Sequence, residues 1–238
     1  MRRPFPRVAA FLARRLAPEG VFGLHLSAGV AALLCGAALF GALASAVASQ
    51  APITRLDAQL AQYFHAHAHP GWTMFMLAVT HLHSQLGVLA MASVLGGYFY
   101  RQRLHYWLLA LAASVPGGML MNVLLKYSYQ RARPQFDAPL LSLSTYSFPS
   151  GHTSGATLFY GLLAAYLFGR MRHWPARAAI AVLALGLVAL VGLSRVYLGV
   201  HYLSDVLAAA AFGLAWLAVC ITAAATLRRH RAQATRQD

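Results

Sequence analysis

The feature that most constrains this chain is a series of long apolar segments with almost no charged residue inside them. A helix needs about 20 predominantly apolar residues to cross the hydrocarbon core of a bilayer. Apolar residues make up 59% of the 238 residues and charged residues only 10%, whereas roughly 25% of the residues in a soluble domain are charged. So few charges could not cover the surface of a soluble fold of this size. The sequence therefore predicts a polytopic membrane protein.

Six segments are predicted to cross the membrane as helices, which gives an all-α bundle with both termini on one side. The predicted spans are Val21–Val47, the stretch Leu86–Tyr100 within a weaker run that starts at Trp72, Leu104–Leu125, Thr153–Phe168, Ala178–Leu198 and Leu203–Leu227. Residues 21–227 form the predicted membrane domain, with basic cytoplasmic tails at 1–20 and 228–238. A cleaved signal peptide is the alternative for the first run, but that run is longer than the roughly 7–15 residues of such segments.

The distribution of basic residues orients the predicted bundle. Fourteen of the 19 Lys and Arg residues fall in the two tails and in the short segments around Arg101 and Arg170, and such an excess marks the cytoplasmic side. The other five lie on the opposite, outer side, together with Asp57, Asp137 and Asp205. Basic residues on the translocated side work against insertion, so we expect them to serve a purpose other than topology.

Three short motifs lie on this outer side. They consist of Lys126 with Arg133-Pro134, then Pro149-Ser150-Gly151-His152, and then Ser194-Arg195 with His201 and Asp205. Three cations at one site would repel one another unless an anion lay between them, and a phosphate suits both their charge and the bidentate geometry of arginine. The second motif opens a predicted helix, whose first N–H groups lack intrahelical partners and attract anions. The motifs therefore predict a phosphate site.

The histidines in the motifs indicate catalysis at that site. His201 and Asp205 are four residues apart, so on a helix they share one face, and the carboxylate can hold one imidazole nitrogen while the other attacks. His152 supplies a second titrating group, as a general acid requires. Each of these residues taken alone is also typical of an interfacial side chain or an ordinary helix start. The joint pattern of three ordered motifs favours the catalytic interpretation.

In these motifs the chain closely resembles the type 2 phosphatidic acid phosphatases (PAP2). These are integral-membrane lipid phosphatases related to bacterial class A acid phosphatases and vanadium haloperoxidases. Their pattern Lys-x6-Arg-Pro, Pro-Ser-Gly-His and Ser-Arg-x5-His-x3-Asp is filled at every position between residues 126 and 205. The resemblance implies the helical core of the acid phosphatase–haloperoxidase fold and an enzyme that hydrolyses phosphoric esters.

The resemblance also implies a role for each motif residue. His201 would form a phosphohistidine, Asp205 would orient it, and His152 would protonate the leaving oxygen and then activate water. The phosphoryl group would be bound by Lys126, Arg133, Ser150, Gly151 and Arg195. The family uses no metal or other cofactor, and we expect none here. The expected partners are a lipid phosphate substrate and membrane lipids, without nucleic acid.

The expected function is hydrolysis of a phosphomonoester or pyrophosphate on a lipid that reaches the outer leaflet of the inner (plasma) membrane. Phosphatidic acid, phosphatidylglycerol phosphate and undecaprenyl diphosphate all fit this class, and the sequence does not choose among them. One alternative is a lipid phosphotransferase that hands the same phosphoryl group to another lipid. The other is a transporter without enzymatic activity, against which the pair of histidines with an aspartate argues, because binding alone needs no nucleophile.

Two further features have weaker interpretations. Arg131 stands outside the motif positions, and we expect it to pair with Asp137 or with lipid headgroups, so that Arg131→Ala should be mild. Ser194 is expected to brace its turn. The alternating histidines at positions 65, 67 and 69, with two more at 81 and 83, could suggest a metal site, but neither an acid nor a cysteine completes a ligand set.

Overall fold

The computed structural model describes residues 23–235, and every regular element in that part of the chain is an α-helix. The helices are α1 (Leu24–Ala48), α2 (Pro52–Ala66), α3 (Pro70–Leu82), α4 (Gln85–Arg101), α5 (His105–Tyr129), α6 (Gly151–Phe168), α7 (Trp174–Tyr197) and α8 (Leu203–Ala234). The predicted first tail, residues 1–20, lies outside the described residues. Helix α8 passes through the predicted start of the second tail at Arg228 without a break.

The predicted count of six membrane spans is not confirmed. Within residues 23–235, four helices are long and apolar enough to cross a bilayer: α1, α5, α7 and α8. Helices α3 and α4 meet the same requirement only as a pair, and they are bent by 52° where they join. The weaker run that starts at Trp72 therefore consists of two helices that meet at His83 and Ser84, and the predicted span Leu86–Tyr100 lies within the second of them, α4. The Ser84 hydroxyl accepts a hydrogen bond from the backbone N–H of Gly87 and caps α4.

Helix α6, which was predicted as a span, is not among the four. It has only 18 residues, and its first turns carry His152, Thr153 and Ser154 among small residues. It packs against α4, α5, α7 and α8, and Leu158 and Leu162 on it are fully buried. A helix enclosed by other helices can carry polar residues at membrane depth, because protein rather than lipid surrounds them. Helix α6 is the central helix of the bundle.

Helices α1 and α8, the first and last helices described, pack against each other at close range. A Cβ atom at Gly36 would lie 2.8 Å from the backbone oxygen of Ala211, and one at Gly29 would overlap the side chain of Thr222. Small residues of this kind let two membrane helices approach closely. Near the C-terminal end of α1 a buried apolar cluster joins it to the segment before α6 and to α8, and its members are Leu43, Ala44, Val47, Phe148 and Ala208.

The directions of the last four helices place four helix ends together. The C-terminal ends of α5 and α7 and the N-terminal ends of α6 and α8 meet at one end of the bundle, and the irregular segment 130–150 crosses it. The short helix α2 lies at the same end, since Asp57 on it contacts Ser204 on α8. The sequence motifs fall at these helix ends.

The charge distribution generates a topology prediction. In a variant whose Cys35 and Cys220 are replaced by alanine, a cysteine at the exposed position Asp137 should react with an impermeant maleimide in intact cells. A cysteine at the exposed position Arg172 should react only after the cells are permeabilised. Labelling is read by gel shift, and the parent without cysteine is the control. The opposite labelling pattern would show that the motifs face the cytoplasm.

Candidate active site

The three sequence motifs converge where these helix ends meet. The backbone N–H of Ser150, just before α6, donates to the backbone oxygen of Asp205 on α8 at 3.1 Å. Arg133, in the segment after α5, lies 3.2 Å from the ring of His201. Lys126 near the end of α5 lies close enough to Arg133, Asp205 and Arg195 for their charges to act on it. The structure thus brings together the residues of all three motifs that were predicted to form the site.

His201 lies in the turn between α7 and α8 and is only 1% exposed. Gly199, with φ +68°, makes this turn possible: a Cβ atom there would sit 2.8 Å from the ring of Phe136. The backbone N–H groups of Val200 and His201 donate back to the Arg195 oxygen, at 3.2 and 3.3 Å. The chain therefore leaves α7 through a tight turn that holds the imidazole directly beside the start of α8.

The two ring nitrogens of His201 face different partners. Nδ1 lies 3.4 Å from Ser147 Oγ and 3.5 Å from Asp205 Oδ2. The Ser147 hydroxyl itself donates to that carboxylate oxygen. Nε2 lies 3.2 Å from Nη1 of Arg133. Because arginine only donates, these partners assign the proton to Nδ1 and the lone pair to Nε2.

The charge state of His201 follows from its surroundings. Burial lowers the pKa of His201 to about 3; the hydrogen bond to Asp205 and its charge oppose the shift, and Arg133 and Arg195 add to it. At physiological pH the imidazole is therefore neutral. A neutral imidazole with a lone pair on Nε2 and an acceptor at Nδ1 is a competent nucleophile.

Asp205 is completely buried in the first turn of α8. Oδ2 accepts from the backbone N–H of Tyr202 at 2.9 Å, in a capping box, and from the Ser147 hydroxyl. Oδ1 accepts from Nη1 of Arg131 at 2.5 Å. A buried carboxylate with these donors is stabilised in its ionised form and in one orientation.

Arg195 is the largest fully buried side chain among the described residues. One of its terminal nitrogens, Nη1, donates to Thr80 Oγ1 on α3. Its Nε and Nη2 are buried without any hydrogen-bond partner. An unpaired buried guanidinium N–H is costly, and an anion is a partner that would satisfy it.

Lys126 and Arg133 make their hydrogen bonds mainly with backbone carbonyl groups. Lys126 Nζ donates to the oxygen of Tyr146 at 2.5 Å, and Arg133 donates to those of Thr145 at 2.6 Å and Val200 at 2.5 Å. Apart from Asp57 and Asp205, which pair with Arg131, no carboxylate forms an ion pair within residues 23–235. The two cations therefore keep their charge available for an anion.

The N-terminal end of α6 completes the anion-binding geometry. Ser150 precedes the helix, is fully buried, and does not cap it with its side chain. A Cβ atom at Gly151 would lie 3.3 Å from Oδ1 of Asn122, so a larger residue would crowd the site. His152 in the first turn is near enough to Arg195, His201 and Arg133 for their charges to act on it. Open N–H groups, a glycine and a histidine thus face the cations.

The expected pairing of Arg131 is wrong. Arg131 does not pair with Asp137 but forms ion pairs with Asp57 at 2.9 Å and with Asp205 at 2.5 Å. The segment after α5 turns inward at Arg131, whose guanidinium lies over the ring of Tyr202 with 4.2 Å to its centroid. The expectation that Arg131→Ala is mild therefore loses its basis, because the substitution would leave two buried carboxylates without their cation.

Three residues of this site were not found by sequence reasoning: Asp57, Thr80 and Ser147. Asp57 carried a signal, since it is one of only five acids in the chain and falls on the same side as the motifs. Thr80 and Ser147 are small hydroxyl residues without any distinguishing pattern.

The remaining expectations concern Ser194 and the alternating histidines. The Ser194 hydroxyl donates to the backbone oxygen of Val191 at 2.7 Å and lies 3.3 Å from Thr80 Oγ1, which fits a bracing role. Among the described residues the histidines of α2 and α3 join no group of three side chains able to hold a metal ion.

Comparisons with known proteins agree with this geometry. Residues 106–229 match the model of the PAP2 superfamily. Phosphatidylglycerophosphatase B of Bacillus subtilis is 36% identical over 142 residues, which are 58% of this chain and 68% of that protein. A decaprenylphosphoryl-5-phosphoribose phosphatase of Mycobacterium tuberculosis is 35% identical over 124 residues, 51% of this chain and 63% of that protein.

Solved structures show the same likeness. A transmembrane PAP2 type phosphatidylglycerolphosphate phosphatase from Bacillus subtilis superposes with a TM-score of 0.66 and 30% identity, over 79% of this chain and 93% of that one. LpxE from Aquifex aeolicus shares the fold, with a TM-score of 0.56 and 20% identity over 70% of this chain and 94% of that one. The chain belongs to the PAP2 superfamily and is a phosphoric ester hydrolase of the lipid phosphatase type.

Proposed function

We propose that the site removes a phosphate group from a lipid through a covalent phosphohistidine on His201, on the outer side of the membrane. The observation that carries the proposal is Arg195, which is buried with two unpartnered nitrogens and lies near enough to His201 for its charge to act on that imidazole. An anion bound there would satisfy both N–H groups.

The charge balance of the site fits a phosphomonoester. Four cations (Lys126, Arg131, Arg133 and Arg195) face two carboxylates (Asp57 and Asp205), so with His201 and His152 both neutral the residues of the site carry a net charge of +2. A bound phosphate offsets the cations Arg195 and Arg133, which act on His152, and so favours uptake of the proton that His152 later donates. A phosphomonoester near neutral pH carries almost two negative charges. Binding it neutralises Lys126, Arg133 and Arg195, none of which is paired with a carboxylate.

In the first step, Nε2 of His201 attacks phosphorus while the bond between phosphorus and the lipid oxygen breaks. The electron pair of that bond stays on the lipid oxygen, which takes a proton from His152. The positive charge that develops on the imidazole is stabilised through Nδ1 by Asp205. Lys126, Arg133, Arg195 and the N–H groups at the start of α6 stabilise the charge on the phosphoryl oxygens.

In the second step, water attacks the phosphohistidine. His152, now neutral, takes the proton of the water, and the bond between phosphorus and Nε2 breaks with its electron pair returning to the imidazole. Inorganic phosphate then leaves. The histidines end in the states in which they began, so the cycle balances without a further reactant.

The activities named for the relatives suggest which lipid substrate to assay first. Phosphatidylglycerophosphatase B and a phosphatidylglycerolphosphate phosphatase structure are both similar to this chain, so phosphatidylglycerol phosphate is the first lipid to assay. Phosphatidic acid and undecaprenyl diphosphate complete the panel. Release of free phosphate by purified protein in detergent, without phosphorylation of an added acceptor lipid, distinguishes hydrolysis from phosphotransfer. Protein that binds these lipids but leaves them intact would be a transporter.

A first prediction concerns Arg195. Arg195→Met keeps the length of the side chain and removes the unpaired charge, so it should leave the thermal midpoint unchanged or raise it. It should also lower kcat/KM by about 100-fold or more, because a donor to the transferred phosphoryl group is gone. Inorganic phosphate should raise the thermal midpoint of the wild type and not that of the variant.

The matched control for Arg195 is Arg172→Met, at an exposed site outside the motifs. It should retain both the activity and the stabilisation by phosphate. If Arg195→Met still responds to phosphate as the wild type does, the anion does not bind at Arg195 and the proposed site is wrong.

A second prediction concerns the covalent step. Wild-type protein quenched during turnover of a radiolabelled phosphate ester should hold the label in an acid-labile, base-stable bond, as expected for a phosphoramidate. His201→Ala should lose both the adduct and the turnover. His152→Ala should lose turnover of a lipid phosphate yet still form adduct from an activated aryl phosphate, because that leaving group needs little protonation. Adduct in His201→Ala, with none in His152→Ala, would reverse the two roles.

A further inference from the structure

A chain of buried charges runs from Asp205 to the surface helix α2. Asp57 on α2 has no solvent-exposed area. Its Oδ1 accepts from the backbone N–H of Ser204 at 2.9 Å, and its Oδ2 accepts from the Ser204 hydroxyl at 2.5 Å and from Nη2 of Arg131 at 2.9 Å. A buried carboxylate persists only where its neighbours satisfy it, so α2 is positioned by this contact.

Arg131 is the bridge between the two carboxylates. Its Nη2 donates to Asp57, and its Nη1 donates to Asp205 at 2.5 Å and to Ser204 Oγ at 2.7 Å. Burial alone would lower the pKa of Arg131, but Asp205 and Asp57 raise it above its ordinary value. The guanidinium thus stays charged, with both terminal nitrogens committed to protein partners.

Arg131 differs from the cations of the proposed phosphate site because both of its terminal nitrogens already donate to protein oxygens. Arg195 has a free Nε and Nη2, and those atoms are buried beside the nucleophile. Arg131 instead contacts Oδ1 of Asp205, while Oδ2 of the same carboxylate faces Nδ1 of His201. Arg131 therefore acts on the side of the carboxylate that does not face the histidine.

We propose that Asp57 and Arg131 are positioning residues for the nucleophile: Asp57 holds Arg131, Arg131 holds Oδ1 of Asp205, and the fixed carboxylate holds the imidazole of His201. The proposal rests on the proposed role of His201 as the nucleophile. Neither residue touches the phosphate. The ion pairs restrict rotation of a carboxylate whose Oδ2 must point at Nδ1, so the orientation of the imidazole depends on a residue of α2, about 150 residues away in sequence.

The test is a double-mutant cycle. Asp57→Asn keeps the shape of the side chain, and its amide oxygen can still accept from the backbone N–H of Ser204. It removes the charge and puts an NH2 group where Oδ2 accepts from the Ser204 hydroxyl and from Arg131. It should lower kcat roughly 10–100-fold, the usual effect of losing a residue that orients another one. KM should change little, because Lys126, Arg133 and Arg195 are untouched. In the background of Asp205→Asn the same change should cost less than about threefold, since its effect passes through Asp205.

Three measurements accompany the kinetics. Stabilisation by inorganic phosphate should be retained in Asp57→Asn, which distinguishes loss of orientation from loss of the binding site. Arg131→Lys keeps the charge but cannot bridge both carboxylates, so it should reproduce the pattern of Asp57→Asn. The matched control is Asp137→Asn, an exposed acid of the segment after α5, which should behave as the wild type.

The outcomes separate the two proposals. If the wild type forms no adduct on His201, the proposed function fails and this inference fails with it. If the wild type forms the adduct and Asp57→Asn forms it at the same rate, the inference alone is overturned. The inference is also overturned if the effects of Asp57→Asn and Asp205→Asn are fully additive, or if Asp57→Asn lowers only the thermal midpoint while kcat is unchanged.

Discussion

The buried carboxylate of Asp205 is the interaction on which the rest of the outer end of the bundle depends. A charge taken out of water is tolerated only when its donors are fixed around it. Those donors come from separate parts of the chain: Ser147 and Arg131 from the segment after α5, Tyr202 N–H from the turn before α8, and His201 from the same turn. One carboxylate thus connects the segments that surround His201.

The cations proposed to bind phosphate have different partners from Asp205. Lys126 and Arg133 donate to carbonyl oxygens around Thr145 and Tyr146, and Arg195 keeps two nitrogens free. Carbonyl partners cost less to exchange for an anion than carboxylates do, because no opposite charge must be separated. The charged residues of the site therefore fall into two groups: those that neutralise each other beside His201, and those without a carboxylate partner, which are proposed to bind the substrate.

The sequence alone predicts those features that depend on interactions between residues close together in the chain. Long apolar runs predict α1, α5, α7 and α8, and the spacing of His201 and Asp205 predicts their pairing, because both depend only on neighbouring residues. The prediction of α6 as a span is not confirmed, and its enclosure by other helices cannot be read from its own composition. Asp57 was missed for the same reason: its contact with Arg131 exists only once α2 has docked on the bundle. The roles of the site residues stay predictions.

The packing of α1 against α8 also sets the order in which the protein can be built. The glycine-lined face of α1 fits residues that follow about 175 to 195 positions later, as Gly36 does with Ala211 and Gly29 with Thr222. A ribosome adds roughly 5–20 residues per second, so α1 spends many seconds in the bilayer before its partner is synthesised. Until α8 is inserted, the small-residue face of α1 is open to lipid or to other helices. A chain arrested within α7 would also lack His201 and Asp205, so as long as the proposed nucleophile and its aspartate are missing, the small-residue face of α1 is uncovered as well.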